Sequence, residues 1–374
     1  MLTLNEVGEW ECYRSQWEAL LNADPSQTVF QSYDWAVAYR KIYGANAETR
    51  LLVGKDGTGN VRCILPLIVR SLSRVIKELM PIGGDYLDMV CAPEDRSESI
   101  KALYSYLATQ RGNWNFADFR SLRAEGVLAS ATDTHLAEKE AKLRVRKDVP
   151  ACLRAMAMPH QRYPFVPLPD TWQGYEQGLA KKFAWQLAYD KRHFFREHSE
   201  ASLRLANTET LSDDLHMLFD LHQAEWTARG ELGAFGSERD RQFHCELAHR
   251  FVKTGTLVLL TLRAGSEPVA ALYCFRQGNS LVYYQGGFSN KFCKYSPGKM
   301  LIAEAIKHAI STGATEFDFL KGDEDSKHRW QPACRTTWRL MIAPRYSPGV
   351  LLMKGYANAP EVRAFFRRIR GKTG

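Results

Sequence analysis

Tyr283-Tyr284-Gln285-Gly286-Gly287-Phe288 and, a short loop later, Tyr295-Ser296-Pro297-Gly298-Lys299 read as a strand ending in two glycines and then the first residues of a helix. Ser296 suits the N-cap, because a serine hydroxyl accepts from the first free amides. Pro297 suits the first helical position, where no amide proton is needed. Ile302, Ala305, Ile306, Ala309 and Ile310 recur at helical spacing up to Gly313, so the helix spans about Pro297 to Thr312. Free N–H groups and the positive dipole end make such a start an anion site. Lys291, Lys294 and Lys299 surround it.

Working outward, Thr256–Arg263 and Pro268–Arg276 read as strands about a Gly265-Ser266-Glu267 turn, and Glu316–Leu320 as a strand beyond the helix. The earlier half carries the same order: strands at Arg50–Val53 and Val61–Val69 about a polar turn, then Gly83-Gly84, a helix from about Pro93 to Arg111, Gly112, and a strand at Asn115–Phe119. This is a duplication of whole-domain size, longer than a solenoid period. The copies differ in charge. The first starts its helix with Pro93-Glu94-Asp95, and the nearest preceding lysine is Lys77. Two carboxylates satisfy the helix dipole and repel a phosphate. Pro159–Pro169 predicts an extended connector. Helices are expected over Trp172–His198, Asp213–Arg229 and Glu238–Lys253. The fold class is therefore mixed α/β with tandem domains: residues 1–165 without a donor site, 166–345 with one, and 346–374 a basic tail.

Further stretches carry a resemblance. Gly265–Ala271, Tyr283–Phe288, Tyr295–Leu301 and Phe317–Asp323, with Val29–Trp35 and Glu225–Gly230, resemble the GNAT-fold (N-acetyltransferase-like) proteins of the CelD/BcsL type. These are related to the Fem aminoacyltransferases, which also carry two GNAT-like domains. The resemblance spans residues 28–340 or so. Lys327 stands where the family pattern has Tyr-Lys, with Ser326 in place of the aromatic.

The resemblance implies direct transfer of an acyl group from acetyl-CoA or another acyl-CoA to an amine, on a cell-envelope or polysaccharide precursor. The thioester would lie along Gln285, Gly286 and Gly287, and the pyrophosphate on the amides near Tyr295, Ser296, Gly298 and Lys299. Asp318 or Asp323 would take the amine proton, Lys327 would join them, and Tyr284 would protonate the leaving thiolate. Tyr33, Trp35, Trp226 and Arg229 would contact the acceptor. Two alternatives stay open: a Fem-like enzyme drawing its group from charged tRNA, and an inactive accessory protein of polysaccharide synthesis.

The composition agrees with a globular protein: 374 residues, 45% apolar, net charge +8. A basic balance favours polyanionic partners. Trp185 among Lys181, Lys182, Arg192 and Arg196 suits an RNA backbone. Eight cysteines form no C-x-x-C pair and read as reduced, mostly buried thiols. No H-E-x-x-H, Walker or G-x-S-x-G sequence occurs, so no metal is expected. The N-terminal residues carry glutamates rather than an apolar core, and no run of 18 apolar residues occurs, which points to the cytoplasm. Pro360–Gly374 reads as a basic amphipathic helix suited to peripheral membrane contact.

Overall fold

The computed structural model describes residues 2–73, 76–130, 144–145, 149–322 and 324–358. Asp323 and residues 359–374 of the basic tail, with the helix expected at Pro360–Gly374, lie outside them. In chain order the elements are β1 (Thr3–Val7), α1 (Arg14–Ala23), α2 (Tyr33–Tyr43), β2 (Glu48–Lys55), β3 (Val61–Ser71), β4 (Lys77–Pro81), β5 (Val90–Cys91), α3 (Arg96–Thr109), β6 (Phe116–Leu122), α4 (Val127–Ser130), β7 (Arg144–Val145), β8 (Leu153–Pro167), α5 (Trp172–Gly178), α6 (Lys181–Glu197), β9 (Ala201–Leu205), α7 (Leu211–Ala228), α8 (Glu238–Thr254), β10 (Leu257–Ala264), β11 (Glu267–Gln277), β12 (Ser280–Phe288), α9 (Pro297–Ser311), β13 (Glu316–Asp318), α10 (Asp325–His328), β14 (Ala333–Pro344) and α11 (Pro348–Asn358). Two compact units result. Unit 1 is Met1–Gln161 with Thr336–Gly374, and unit 2 is Arg162–Arg335. The boundaries fall inside β8 and β14, and residues 336–345 group with unit 1 rather than with the second domain expected from sequence.

In unit 1, β1 to β4 form an antiparallel meander. The chain then crosses through α3, and β6 pairs parallel with β4 at Glu78↔Phe116 and Leu79↔Ala117. β14 adds antiparallel to β6, with Met341 opposite Asp118. Strand residues such as Leu52, Leu65 and Leu67 pack with Leu103 and Leu107 of α3 into one apolar core. On the other face of β6 and β14, where Phe116 and Met341 join a smaller cluster with Met353 of α11, Arg339 holds Asp118 by two hydrogen bonds of 2.6 and 2.8 Å, both groups fully buried. Arg120 reaches the same carboxylate, and the Tyr356 ring lies 3.6 Å from the Arg339 guanidinium.

Unit 2 repeats the order. β9 to β12 are antiparallel. After α9, β13 pairs parallel with β12, and β8 lies antiparallel on β13. Alternation along the strands separates two faces. Ala270, Leu272 and Cys274 of β11 meet α5, α6 and α9, whereas Tyr273 and Phe275 meet His244 and Phe251 of α8.

Three expectations need correction. The single helix at Trp172–His198 is two, broken at Leu179 and Ala180, whose ψ angles of 154° and 126° are extended. Gly174 and Gly178 weaken the first helix, and the core takes the Leu179 side chain. The connector Pro159–Pro169 is largely strand, the latter part of β8. Of the eight cysteines, Cys63, Cys91 and Cys274 are buried, but Cys12, Cys293 and Cys334 are exposed.

Candidate active site

β12 pairs with β13 over Ser280, Leu281 and Val282 only. Beyond Val282, Tyr283–Phe288 has no strand partner on that side among the described residues. A wedge therefore opens between two parallel strands, with backbone amides on its wall. On its other edge β12 stays paired to β11, with Tyr283 opposite Cys274 and Gln285 opposite Tyr273. Tyr284 is the extra residue of a β-bulge, a device that re-aims side chains. As a result Tyr284 and Gln285 both face α7 and α8: Tyr284 rests 5.2 Å from the His244 ring, and Gln285 Oε1 lies 3.2 Å from His222 Nε2.

The two glycines have separate reasons. A Cβ on Gly287 would lie 2.4 Å from the His222 backbone nitrogen, so α7 can seat on β12 only at a glycine. A Cβ on Gly286 would meet the Tyr283 hydroxyl at 3.0 Å and the Ala271 carbonyl at 3.2 Å.

The loop after β12 is a 3-10 turn, Asn290–Tyr295, leading into α9. Pro297 takes the first helical position as expected. Ser296 is at the N-cap, but in the left-handed region (φ 50°, ψ 51°), and its side chain caps no amide. Its hydroxyl instead accepts from Lys299 Nζ at 3.4 Å. The expected serine cap is thus absent, which leaves the first-turn amides without a side-chain partner from Ser296. A Cβ on Gly298 would make only an ordinary contact, 3.6 Å from Phe288 of β12. Tyr295 is buried, its hydroxyl donating to Glu197.

Among the candidate acids and bases, Asp318 is buried opposite Val282, where the strands part, and its Oδ1 accepts the Leu320 amide at 2.7 Å. Leu320 has φ 55°, so part of the carboxylate's work is to hold a strained turn. Lys327 Nζ donates to the Lys321 and Gly322 carbonyls at 3.0 and 3.4 Å and pairs with Glu324 at 2.7 Å. It clamps this loop.

Two residues that sequence spacing could not single out stand behind β12. His222 and His244 are buried, each with an unpartnered Nδ1, and the Tyr273 hydroxyl beside them is also unpartnered. Burial lowers the His222 pKa to about 4 and the His244 pKa to about 3. An unfolded imidazole titrates near 6.5. As pH falls below that value the unfolded chain takes the proton first, so stability is complete above about pH 6.5 and declines toward pH 3. For His244 alone, the loss between pH 7 and 5 is on the order of 2 kcal/mol. Urea unfolding of His244→Phe beside the parent, at both pH values, should show the parent losing that much more. Equal losses would contradict a buried neutral imidazole.

The remaining candidates are placed elsewhere. Trp226 stacks on His222 at 5.6 Å, and Arg229 lies over Trp226 while pairing with Glu225 at 2.5 Å. Both thus sit at the end of α7, in unit 2. Tyr33 and Trp35 are buried in unit 1: Tyr33 packs edge-on against Trp17, and Trp35 Nε1 donates to the Gly83 carbonyl at 2.7 Å. Both therefore pack within unit 1. In that unit Gly83 faces Tyr39, and Gly84 faces Phe30, so aromatic rings cover the glycine pair. Among the described residues no group of His, Cys, Asp and Glu is placed to hold a metal ion. No described helix is long and apolar enough to cross a membrane.

Residues 182–331 match the family model described as "Acetyltransferase (GNAT) domain". That match and the wedge define the class: an acyltransferase built on the GNAT fold. Among solved structures, the chain is similar to FemX, with 11% identity over 94% of this chain and 98% of that one and a TM-score of 0.65. It is also similar to a conserved protein of unknown function from Bacteroides thetaiotaomicron, with 12% identity over 92% and 100% and a TM-score of 0.54. At these identities the likeness is one of fold, and it extends across both units. No curated protein matches the sequence.

Proposed function

We propose that unit 2 transfers an acyl group, in the simplest case acetyl, from acyl-CoA to an amine, and that unit 1 holds no donor. The observation that carries this reading is the wedge between β12 and β13 beside an uncapped, lysine-flanked helix start, all within the matched domain. The backbone amides of the Tyr283–Phe288 edge that β13 does not pair are the donors for the thioester oxygen, and preorganised donors of this kind are often the largest catalytic term. The amides of Gly298 and Lys299, with the Lys299 ammonium, receive the pyrophosphate. The amine must be neutral to attack. Asp318, at the apex of the wedge, is the carboxylate this reading assigns to proton removal, directly or through water, and Tyr284 remains the candidate donor to the leaving thiolate. The acceptor class, an amine of a cell-envelope or polysaccharide precursor, rests on the motif resemblance to proteins of the CelD/BcsL type.

A second reading, with aminoacyl-tRNA as donor, is favoured by Lys181, Lys182, Arg192 and Arg196. All four are exposed on α6, with no carboxylate partner among the described residues. Calorimetry with acetyl-CoA and with tRNA separates the readings. Saturable binding of acetyl-CoA is expected. Binding of tRNA alone would replace the first reading by the second, and binding of neither would point to an accessory role.

A further inference from the structure

α6 carries a feature the transfer chemistry leaves unused. Its inward rings, Phe183 and Phe194, are buried as core packing requires. Trp185 and Tyr189 are not: they are 57% and 39% exposed, and they stack on each other at 5.1 Å and 14°. The series continues toward the donor site. Tyr189 meets His193 at 5.4 Å, and His193 meets Tyr295 at 5.2 Å. Tyr295 immediately precedes Ser296 and the α9 start. Successive rungs on α6 are one helical turn apart, about 5.4 Å. Lys181, Lys182, Arg192 and Arg196 flank the ladder. The exposed carboxylate on this helix, Glu197, is already engaged by His193, Lys294 and Tyr295.

Exposed flat rings among unpaired cations match a ligand that is planar, aromatic and anionic. Stacking on aromatic side chains in a positively charged setting is how proteins hold unpaired bases. Resting on the donor-site reading above, we propose that the Trp185–Tyr189 stack is the platform for the adenine base of the donor, with the ribose and phosphates spanning from it to the α9 start. Adenosine ends both coenzyme A and the acceptor strand of tRNA, so one platform serves the nucleotide from either source.

The test is titration of parent, Trp185→Ala/Tyr189→Ala and Trp185→Phe with three probes: coenzyme A, 4′-phosphopantetheine, which lacks the adenosine, and a short RNA ending in CCA. The double alanine variant should bind coenzyme A about 10- to 100-fold more weakly, the size expected for a lost base stack. Phosphopantetheine affinity should not change, and Trp185→Phe should keep most of the parent's affinity for coenzyme A. If the RNA alone loses affinity, the platform stands and its base comes from RNA. Undiminished binding of both nucleotide probes overturns the proposal. So does an equal loss for phosphopantetheine, or a parent that binds neither nucleotide probe. Gly298→Glu keeps the two inferences distinguishable. If it weakens coenzyme A and phosphopantetheine while the alanine variant does nothing, the donor site stands and the platform falls. The reverse pattern preserves the platform and removes the donor site.

Discussion

Gly298→Glu should weaken acyl-CoA binding by two orders of magnitude or more without destabilising the protein. Position 298 is in the first turn of α9, where the added Cβ makes only an ordinary contact with Phe288. A glutamate there complements the helix dipole, and replacing glycine in a helix gains up to about 1 kcal/mol. The fold should thus hold or gain slightly. The donor meets the opposite situation. Like charges about 4 Å apart repel by roughly 4 kcal/mol at an intermediate dielectric, and screening leaves a large part of that. Opposite signs for stability and affinity separate a ligand site from an ordinary helix end. The companion change, Glu94→Gln with Asp95→Asn at the corresponding start in unit 1, should leave donor affinity as it was. Thermal melts and calorimetry on both variants decide the matter. Parent-like binding by Gly298→Glu, or a strong loss on neutralising Glu94 and Asp95, would place the donor elsewhere.

Arg339→Met carries the largest expected effect on stability. It leaves Asp118 fully buried beside Arg120, which also approaches the buried Glu78 at 3.5 Å. Breaking a buried ion pair from one side typically costs about 3–5 kcal/mol. The contact with Tyr356 is lost as well. Replacing both charges by apolar groups removes the uncompensated carboxylate, so Asp118→Leu/Arg339→Met should recover much of the loss. Urea unfolding followed by far-ultraviolet dichroism measures both. A single variant within about 1 kcal/mol of the parent would show that Arg120 suffices alone.

The parts legible in sequence were those specified by neighbours along the chain. The hairpin at 257–277 announces itself by its turn, and α9 by Pro297, its apolar spacing and Gly313, which has φ 75°. What escaped depends on distant partners. β14 reads poorly as a strand because Arg339 interrupts its apolar run, and the carboxylate that explains the arginine is 221 positions away. The left-handed backbone of Ser296 follows from the turn before it rather than from serine's usual capping habit. His222 matters because α7 presses its backbone onto Gly287, an approach that no spacing within α7 encodes. The burial of Trp35 depends on distance in the same way, since its indole is committed to the Gly83 carbonyl, 48 positions on.

The passage of the chain out of unit 1 within β8 and back within β14 sets an order of assembly during synthesis. When residues up to 335 have left the ribosome, unit 2 has all of its strands, whereas β6 still lacks β14 and Asp118 still lacks Arg339. The earlier-made unit is therefore the later one to finish, and it waits with a buried-to-be carboxylate and an unpaired strand edge. Such edges are the places where nascent chains pair wrongly. A nonsense or frameshift lesion after residue 335 and before Arg339 would spare every residue of the wedge and still leave the amino-terminal half unfinished.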